Sequence, residues 1–335
     1  SSGPFEFASW VPGERMVLTR NDRWWRPRAT LERLEFVFGD GIGIADVLRG
    51  DIDVVTVDAT LDRIERARAD DGVRVAIEPG DRWAALDFNV ASPLLERTAV
   101  RRALTSSLDR EVIVDELLNP IAPAIELRDG LLVDDPIVTD PLPTPGPSAA
   151  ATDLGQAGCA PGADEVYSCG GQRLALRLTS PADDWHLRLI GEYVADQLSR
   201  AGAEVEHTNA APGEEPLTEE AWDIAVTAVA GSDPAQVGQR WRCGAPHNQQ
   251  GYCSPAFDDL LDRAAATRED TERDAAYLEA DLLLARDRPT VPLYALPTML
   301  VYRTTIRGPT LDVGPAGVTR DVDAWARTAR ARSSP

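Results

Sequence analysis

Four cysteines offer the sharpest chemistry in this sequence of 335 residues. They fall in two local pairs, Cys159/Cys169 and Cys243/Cys253, within GCAPGADEVYSCGG and RCGAPHNQQGYC. Neither spacing is CxxC, and His247 is the one histidine inside either stretch, a poor donor set for a tetrahedral zinc site. Two short loops, each closed by its own disulfide, fit better; buried thiols are the alternative. Closing a loop of this size stabilises by roughly 2–3 kcal/mol. Such bridges point to an oxidising compartment.

Other side chains could hold a ligand. Trp241-Arg242 sets an aromatic plane beside a guanidinium, able to stack on a ligand or pair with its carboxylate. A surface arginine next to a cysteine loop is the plain alternative. Trp83 enters an apolar run, where a cleft aromatic competes with an ordinary core tryptophan. For Asn89, a side-chain tie across a turn is the simpler role than ligand contact. General acid–base work needs carboxylates in a dry pocket. Asp183-Asp184, Glu214-Glu215 and Glu219-Glu220 stand instead in polar loop sequence, where solvated faces are expected. His186, His207 and His247 are scattered. There is no G-x-S-x-G, H-E-x-x-H, P-loop, or G-x-G-x-x-G opening a helix. Gly39-Asp40-Gly41-Ile42-Gly43 does not fit a phosphate cradle. No catalytic residue, metal ligand or cofactor site is expected.

Composition narrows the classes further. The net charge is −21, and all 34 basic residues other than histidine are arginine. Neutralising phosphates needs clustered cations on one face, so nucleic acid is not an expected partner. Apolar residues make up 43%, enough for packed cores. No window approaches the ~18 apolar residues of a membrane span, and no secretory leader opens the sequence. If the protein is exported, the exporting signal lies outside this chain.

The elements that must position these residues alternate between strand and helix. Phe5 to Arg20 reads as a hairpin about Pro12-Gly13, and Leu31 to Phe38 as a further strand. Ile44 to Leu48 reads as a helix stopped at Gly50, followed by a strand from Asp51. Trp83 to Val90 is a strand. Thr98 to Leu118 is helical, with Asp109 restarting the helix as an N-cap. Residues 121 to 157 read as a long connection. Leu174, Leu176 and Leu178, then Leu187, Ile190, Val194 and Leu198, then Val205, make a βαβ unit with parallel pairing. Trp222 to Ala230 is a buried strand, Phe257 to Ala266 and Arg273 to Leu284 are helices, and Val291 to Tyr294 is a strand. The fold class is α/β, and open α/β sheets take ligands at the strand carboxyl ends.

The order of motifs resembles a known family. Gly3-Pro4-Phe5, Trp10, Pro12-Gly13, Leu18 to Asn21 and Trp24-Trp25 resemble the opening of one block in family 5 extracellular solute-binding proteins. These are the oligopeptide, dipeptide and nickel receptors of ABC importers. Leu48 to Asp53, Phe88-Asn89 with Pro93-Leu94, Val100-Arg101, Ala103-Leu104, and Leu108 to Glu111 resemble later blocks. So do Asn248, Gly251-Tyr252, Pro255, Asp258 to Leu261, and Val291 to Tyr294. The cysteine loops and all-arginine composition resemble actinobacterial lipoproteins of this family.

The resemblance implies a periplasmic-binding-protein-like fold of the type II, cluster C-like kind, with one complete α/β lobe and part of the other. Residues 1–90 would be part of the first lobe and the lobe crossing, 91–295 the C-terminal lobe, and 296–335 the return to the first. The chain looks like the C-terminal two-thirds of such a protein. A peptide-like or other small solute would sit in an interlobe cleft, with hinge strands near Asp53 to Val55, Asn89 and Tyr294. Candidate ligand residues are Trp83, Asn89, Ser232, Asp233, Trp241, Arg242 and Tyr252. Peptide-binding members place an Asp shortly before an acidic-Pro pair, where it holds the peptide ammonium. Here the pair is Asp233-Pro234 and the corresponding position is Ala230, so ordinary peptides would lack their counter-charge. The expected partners are the ligand and the membrane subunits of an ABC importer, and the expected protein is an extracytoplasmic, monomeric lipoprotein without enzymatic activity. A transport-inactive relative acting as an interaction or regulatory lipoprotein in the cell envelope is the alternative.

Overall fold

The computed structural model describes residues 3–132, 145–210, 222–231, 233–312 and 317–328. In chain order, the first elements are β1 (Phe5–Val11), β2 (Arg15–Arg20), β3 (Arg33–Val37), α1 (Ile44–Arg49), β4 (Val54–Asp58), α2 (Leu61–Arg68) and β5 (Val73–Phe88). Helices α3 (Thr98–Thr105), α4 (Arg110–Leu118) and α5 (Pro147–Gln156) follow. Next come β6 (Cys159–Pro161), β7 (Tyr167–Cys169), β8 (Gln172–Arg173), β9 (Ala175–Pro181), α6 (Trp185–Arg200), β10 (Glu204–Ala210) and β11 (Ile224–Ala230). The last are α7 (Pro234–Val237), α8 (Pro255–Ala266), α9 (Asp270–Asp287), β12 (Thr290–Arg303), β13 (Ile306–Arg307) and β14 (Ala326–Arg327).

The chain forms two compact units. Unit 1 is Ser1–Gly80, Pro120–Ala124 and Leu296–Pro335; unit 2 is Asp81–Asn119 and Ile125–Ala295. Strands β5 and β12 therefore each contribute one half to each unit.

In unit 1, β1, β2 and β3 form an antiparallel sheet, with the hairpin turned at Gly13, φ 75. Helix α1 ends on Gly50 at φ 87, whose N–H caps the carbonyls of Asp46 and Val47, because a left-handed cap is least strained without a Cβ. Strand β4 pairs antiparallel with the second half of β12, from Thr298 opposite Asp58 to Tyr302 opposite Val54.

In unit 2, β9 and β10 run parallel with α6 as their crossover, and β11 pairs parallel with β9 and antiparallel with β5. Apolar faces of α6 (Leu187, Ile190, Val194, Leu198) bury against this sheet. Asp109 caps α4 by accepting from the Val112 N–H at 3.0 Å. Trp241, Phe257, Leu261, Ala276, Ala280 and Leu284 join Trp83 and Val229 in one core under α8 and α9.

Two expectations need correction. The connection over 121–157 contains α5, whose Ala150 and Leu154 are buried; a proline-led, alanine-rich helix has few apolar markers to reveal it. Residues 133–144 of that stretch, and the Glu214-Glu215 and Glu219-Glu220 pairs, lie outside the described residues. Strand β5 begins ten residues before Trp83, at Val73, and continues through Pro79-Gly80. A Cβ on Gly80 would stand 2.3 Å from Thr298 Oγ1 and 2.8 Å from the Leu296 carbonyl oxygen, so the neighbouring strand needs a glycine there.

Candidate functional site

Strands β9 and β11 of unit 2 point their carboxyl ends the same way, ending at Pro181 and Ala230. Antiparallel β5 enters beside them, with Arg82 opposite Ala230 and Trp83 opposite Val229. Gly231, at φ 95, closes the end of β11 by donating its N–H to the Asp81 carbonyl at 3.0 Å.

Helix α6 starts at this same end. Asp184 Oδ1 accepts from the His186 and Leu187 N–H groups at 3.1 and 3.2 Å, while Oδ2 accepts from Arg82 at 3.2 Å. Asp184 is thus an N-cap in an ion pair, not the solvated loop carboxylate expected from its neighbours. The Trp185 ring centroid lies 4.7 Å from that of His186, which is 5.6 Å from that of Tyr294. His186 Nε2 stands 2.7 Å from the Tyr294 hydroxyl, both buried. Burial pulls the imidazole down to about 4, outweighing the opposite pull of Asp184, so it is neutral at pH 7. Burial likewise pushes the Tyr294 phenol up. The Arg128 guanidinium lies 4.8 Å over the Trp83 ring.

This sheet end therefore presents Arg82 and half-buried Trp185 on the α6 side, Arg128 over Trp83 on the other side, and the exposed Ala230 and Asp233. It can hold a polar or partly aromatic ligand by hydrogen bonds and stacking. Beside the end of β9, buried Ser180 Oγ lies 2.8 Å from His207 Nε2 and 2.9 Å from Asn209 Oδ1.

The residues singled out in the sequence do not converge on one point. Trp83 and Trp241 are 2% and 0% exposed, and Trp241 Nε1 donates to Thr290 Oγ1 at 2.9 Å. Tyr252 is buried in the same core and donates to Asp287 Oδ2 at 2.9 Å, with its phenol pushed up chiefly by burial. Arg242 pairs with Asp262 of α8. Asn89, at the other end of β5, donates to the Trp222 carbonyl at 3.0 Å and accepts from the Ala91 N–H at 3.1 Å. Asp233 caps α7 by accepting from the Ala235 N–H at 3.0 Å, and Ser232 lies outside the described residues. Of these residues, Asp233 is exposed at the sheet end that carries Arg82, and Trp83, next to Arg82 on β5, is buried there. The cysteines pair as Cys159–Cys169, across β6 and β7, and Cys243–Cys253.

Sequence reasoning missed the buried charges that brace unit 2. Asp87, fully buried, accepts from the hydroxyls of Thr290 at 2.7 Å and Thr227 at 2.8 Å, and from Arg240. Asp223 accepts from the Ser92 hydroxyl at 2.7 Å and the Arg177 N–H at 2.9 Å. Arg101 donates to the carbonyls of Asp287, Arg288, Leu95 and Glu96, and burial lowers it to about 10. A lone carboxylate inside an apolar strand, as in WAALDF and WDIAV, is the signal that marks the first two.

Residues 1–250 match the model of the bacterial extracellular solute-binding proteins, family 5 Middle. The chain belongs to this family. Among curated family 5 relatives, the probable ABC transporter periplasmic-binding protein SapA of Escherichia coli is 25% identical over 324 residues, 92% of this chain and 56% of the relative. An uncharacterized lipoprotein of Mycobacterium tuberculosis is 25% identical over 343 residues, 97% of this chain and 58% of its own length. The chain thus spans less than two thirds of either relative. Among solved structures, the periplasmic EDTA-binding protein EppA superposes with a TM-score of 0.84 at 20% identity, covering 98% of this chain and 65% of that one. The oligopeptide-binding protein AppA of Bacillus subtilis, in complex with a nonapeptide, gives 0.71 at 19%, covering 98% and 67%. These likenesses establish the periplasmic-binding-protein fold.

Proposed function

We propose that this protein is the extracytoplasmic ligand-binding component of an ABC importer, taking a peptide-like or other small polar solute without making or breaking bonds. The family match over residues 1–250 carries this reading. The sheet end with Arg82, Arg128, Trp185 and Asp233 supports it as the unit 2 contribution to ligand contact. EppA, an EDTA-binding protein, and AppA, an oligopeptide-binding protein, support a polar, multiply charged ligand class. The two disulfides support residence outside the cytoplasm, and the mycobacterial relative supports a lipoprotein. The transporter's membrane subunits are the proposed partners, and the protein acts as a monomer.

Exposed Ala230 favours a second reading. With no carboxylate at that position, a peptide ammonium must find Asp233 or go unpaired, which favours either a ligand without that ammonium or an envelope protein that no longer transports.

Native mass spectrometry of the full gene product tests both. A mass excess that vanishes on denaturation is the expected result, and an Asp233→Ala, Arg82→Ala variant is expected to lose it. No excess, after peptide and sugar mixtures have been offered, overturns the import reading in favour of the second.

A further inference from the structure

Helices α8 and α9 of unit 2 turn Phe257, Leu261, Ala264, Ala276, Ala280 and Leu284 into the core beneath them. Beside that core they leave a groove of about 540 Å³. Ala256 and Leu260 of α8 and Leu282 and Leu283 of α9 line it, with Asp259, Arg263 and Glu279 at its polar edge. Residues three and four apart share one flank of a helix, which is why these positions meet. Leu260 and Leu283 pack on the core and stay half-buried. The groove is therefore an apolar strip, continuous with the core and open to solvent.

Its walls are fixed in place. Arg263 of α8 bridges to Glu279 of α9 at 2.6 Å. Asp281, buried next to the groove leucines in sequence, accepts from the Leu131 and Leu132 N–H groups at 2.9 and 3.2 Å. At the end of α9, Asp287 Oδ2 accepts from Tyr252 at 2.9 Å and the Asp287 carbonyl accepts from Arg101 at 3.1 Å. Helix α9 is thus tied to several other segments, and a partner meets a surface that needs little ordering on contact.

Charge selects the partner. From Pro255 to Asp287 the sequence has ten carboxylates against four arginines. Three of those arginines already pair within the two helices: Arg263 with Glu279, Arg273 with Asp270, and Arg286 with Asp287. Asp259 is exposed at the groove edge, and among the described residues no cation lies within ion-pair distance of it. An acidic partner would be repelled, whereas a cationic one gains complementary charge. A trough between two helices takes a third helix, with apolar anchors at helical spacing.

We propose that the α8–α9 groove is a docking site for a basic amphipathic helix of a partner polypeptide. The apolar stripe of that helix seats on Leu260, Leu282 and Leu283, and a lysine or arginine flanking the stripe reaches Asp259. This inference does not rest on the ligand reading, which concerns the sheet end with Arg82.

A fluorescein-labelled leucine–lysine peptide with a helical apolar stripe, and a scrambled peptide of the same composition, test it by fluorescence anisotropy against the intact protein. The striped peptide is expected to bind saturably and the scrambled one much more weakly. Asp259→Arg and Ala256→Trp are each expected to weaken the striped peptide about tenfold, the first by charge and the second by filling the groove. Asp274→Arg, the same charge change on α9 outside the groove lining, is expected to leave binding nearly unchanged. All three positions are exposed, so the variants keep their fold. Equal binding of the scrambled peptide, or an equal loss in Asp274→Arg, reduces the attraction to net charge and overturns the proposal. So does the absence of saturable binding by the striped peptide. A dimer of the protein alone that Ala256→Trp dissociates in sedimentation overturns it too, assigning the groove to a second copy.

Discussion

His186 is a titratable group held in the form it would not keep in water. Its folded value of about 4 lies below the ordinary histidine value of 6.5. The unfolded chain therefore binds the proton first, and the neutral buried ring stabilises the fold fully only above pH 6.5. That stability is lost as the pH falls toward 4, at about 2 kcal/mol between pH 6.5 and 5. Replacing His186 with Gln keeps a hydrogen-bonding group beside Tyr294 but removes the titration. The melting temperature of the variant is expected to fall less than that of the wild type between pH 7 and 5, by circular dichroism; parallel curves would assign the acid sensitivity to other groups. Single residues are also where the sequence was least legible. Asp87 stands out in WAALDF as a charge in a buried strand, but its partners Thr227 and Thr290 lie 140 and 203 positions away. Local spacing carries no trace of such pairs. Conversely, Trp241-Arg242 reads as a binding dipeptide, yet the fold sends the indole inward to Thr290 and the guanidinium outward to Asp262.

At the scale of elements, periodicity was a good guide wherever one face of a strand or helix is buried and the other is wet. The β1–β2 hairpin, the capped α4 and the β9–α6–β10 unit all follow from that alternation, with Gly50 ending and Asp109 starting a helix by their local chemistry. It failed where an element is defined by its neighbour. Pro79-Gly80 looks like a break, but β5 passes through it because β12 lies against the missing side chain. Gly80→Ala is expected to destabilise the protein by about 1–3 kcal/mol, the range for overpacking. Adding Thr298→Ala should recover part of that loss, since it removes the hydroxyl at 2.3 Å but leaves the Leu296 carbonyl at 2.8 Å. Urea denaturation of the two variants measures this, and a neutral Gly80→Ala would show that the strands separate freely.

At the scale of the molecule, both disulfides lie in unit 2 and each spans 10 positions. Loops this short give about 2–3 kcal/mol per bridge, so reduction is expected to lower the unfolding midpoint of unit 2 and spare unit 1. Denaturing mass spectrometry of the oxidised protein should show two hydrogens fewer per bridge, and a fully reduced mass would remove the compartment inference. The two units also differ in when they can be finished. Unit 2 has all of its strands once Ala295 exists, whereas β4 of unit 1 waits for Thr298 to Tyr302 and β13 waits for Ala326. On a chain delivered amino end first, whether from a ribosome or through an export channel, β1 to β3 can pair among themselves at once, but β4 must wait unpaired while the later unit closes. Val54 to Asp58 is then the stretch most in need of a chaperone, and the arrival of Thr298 to Tyr302 ends that need.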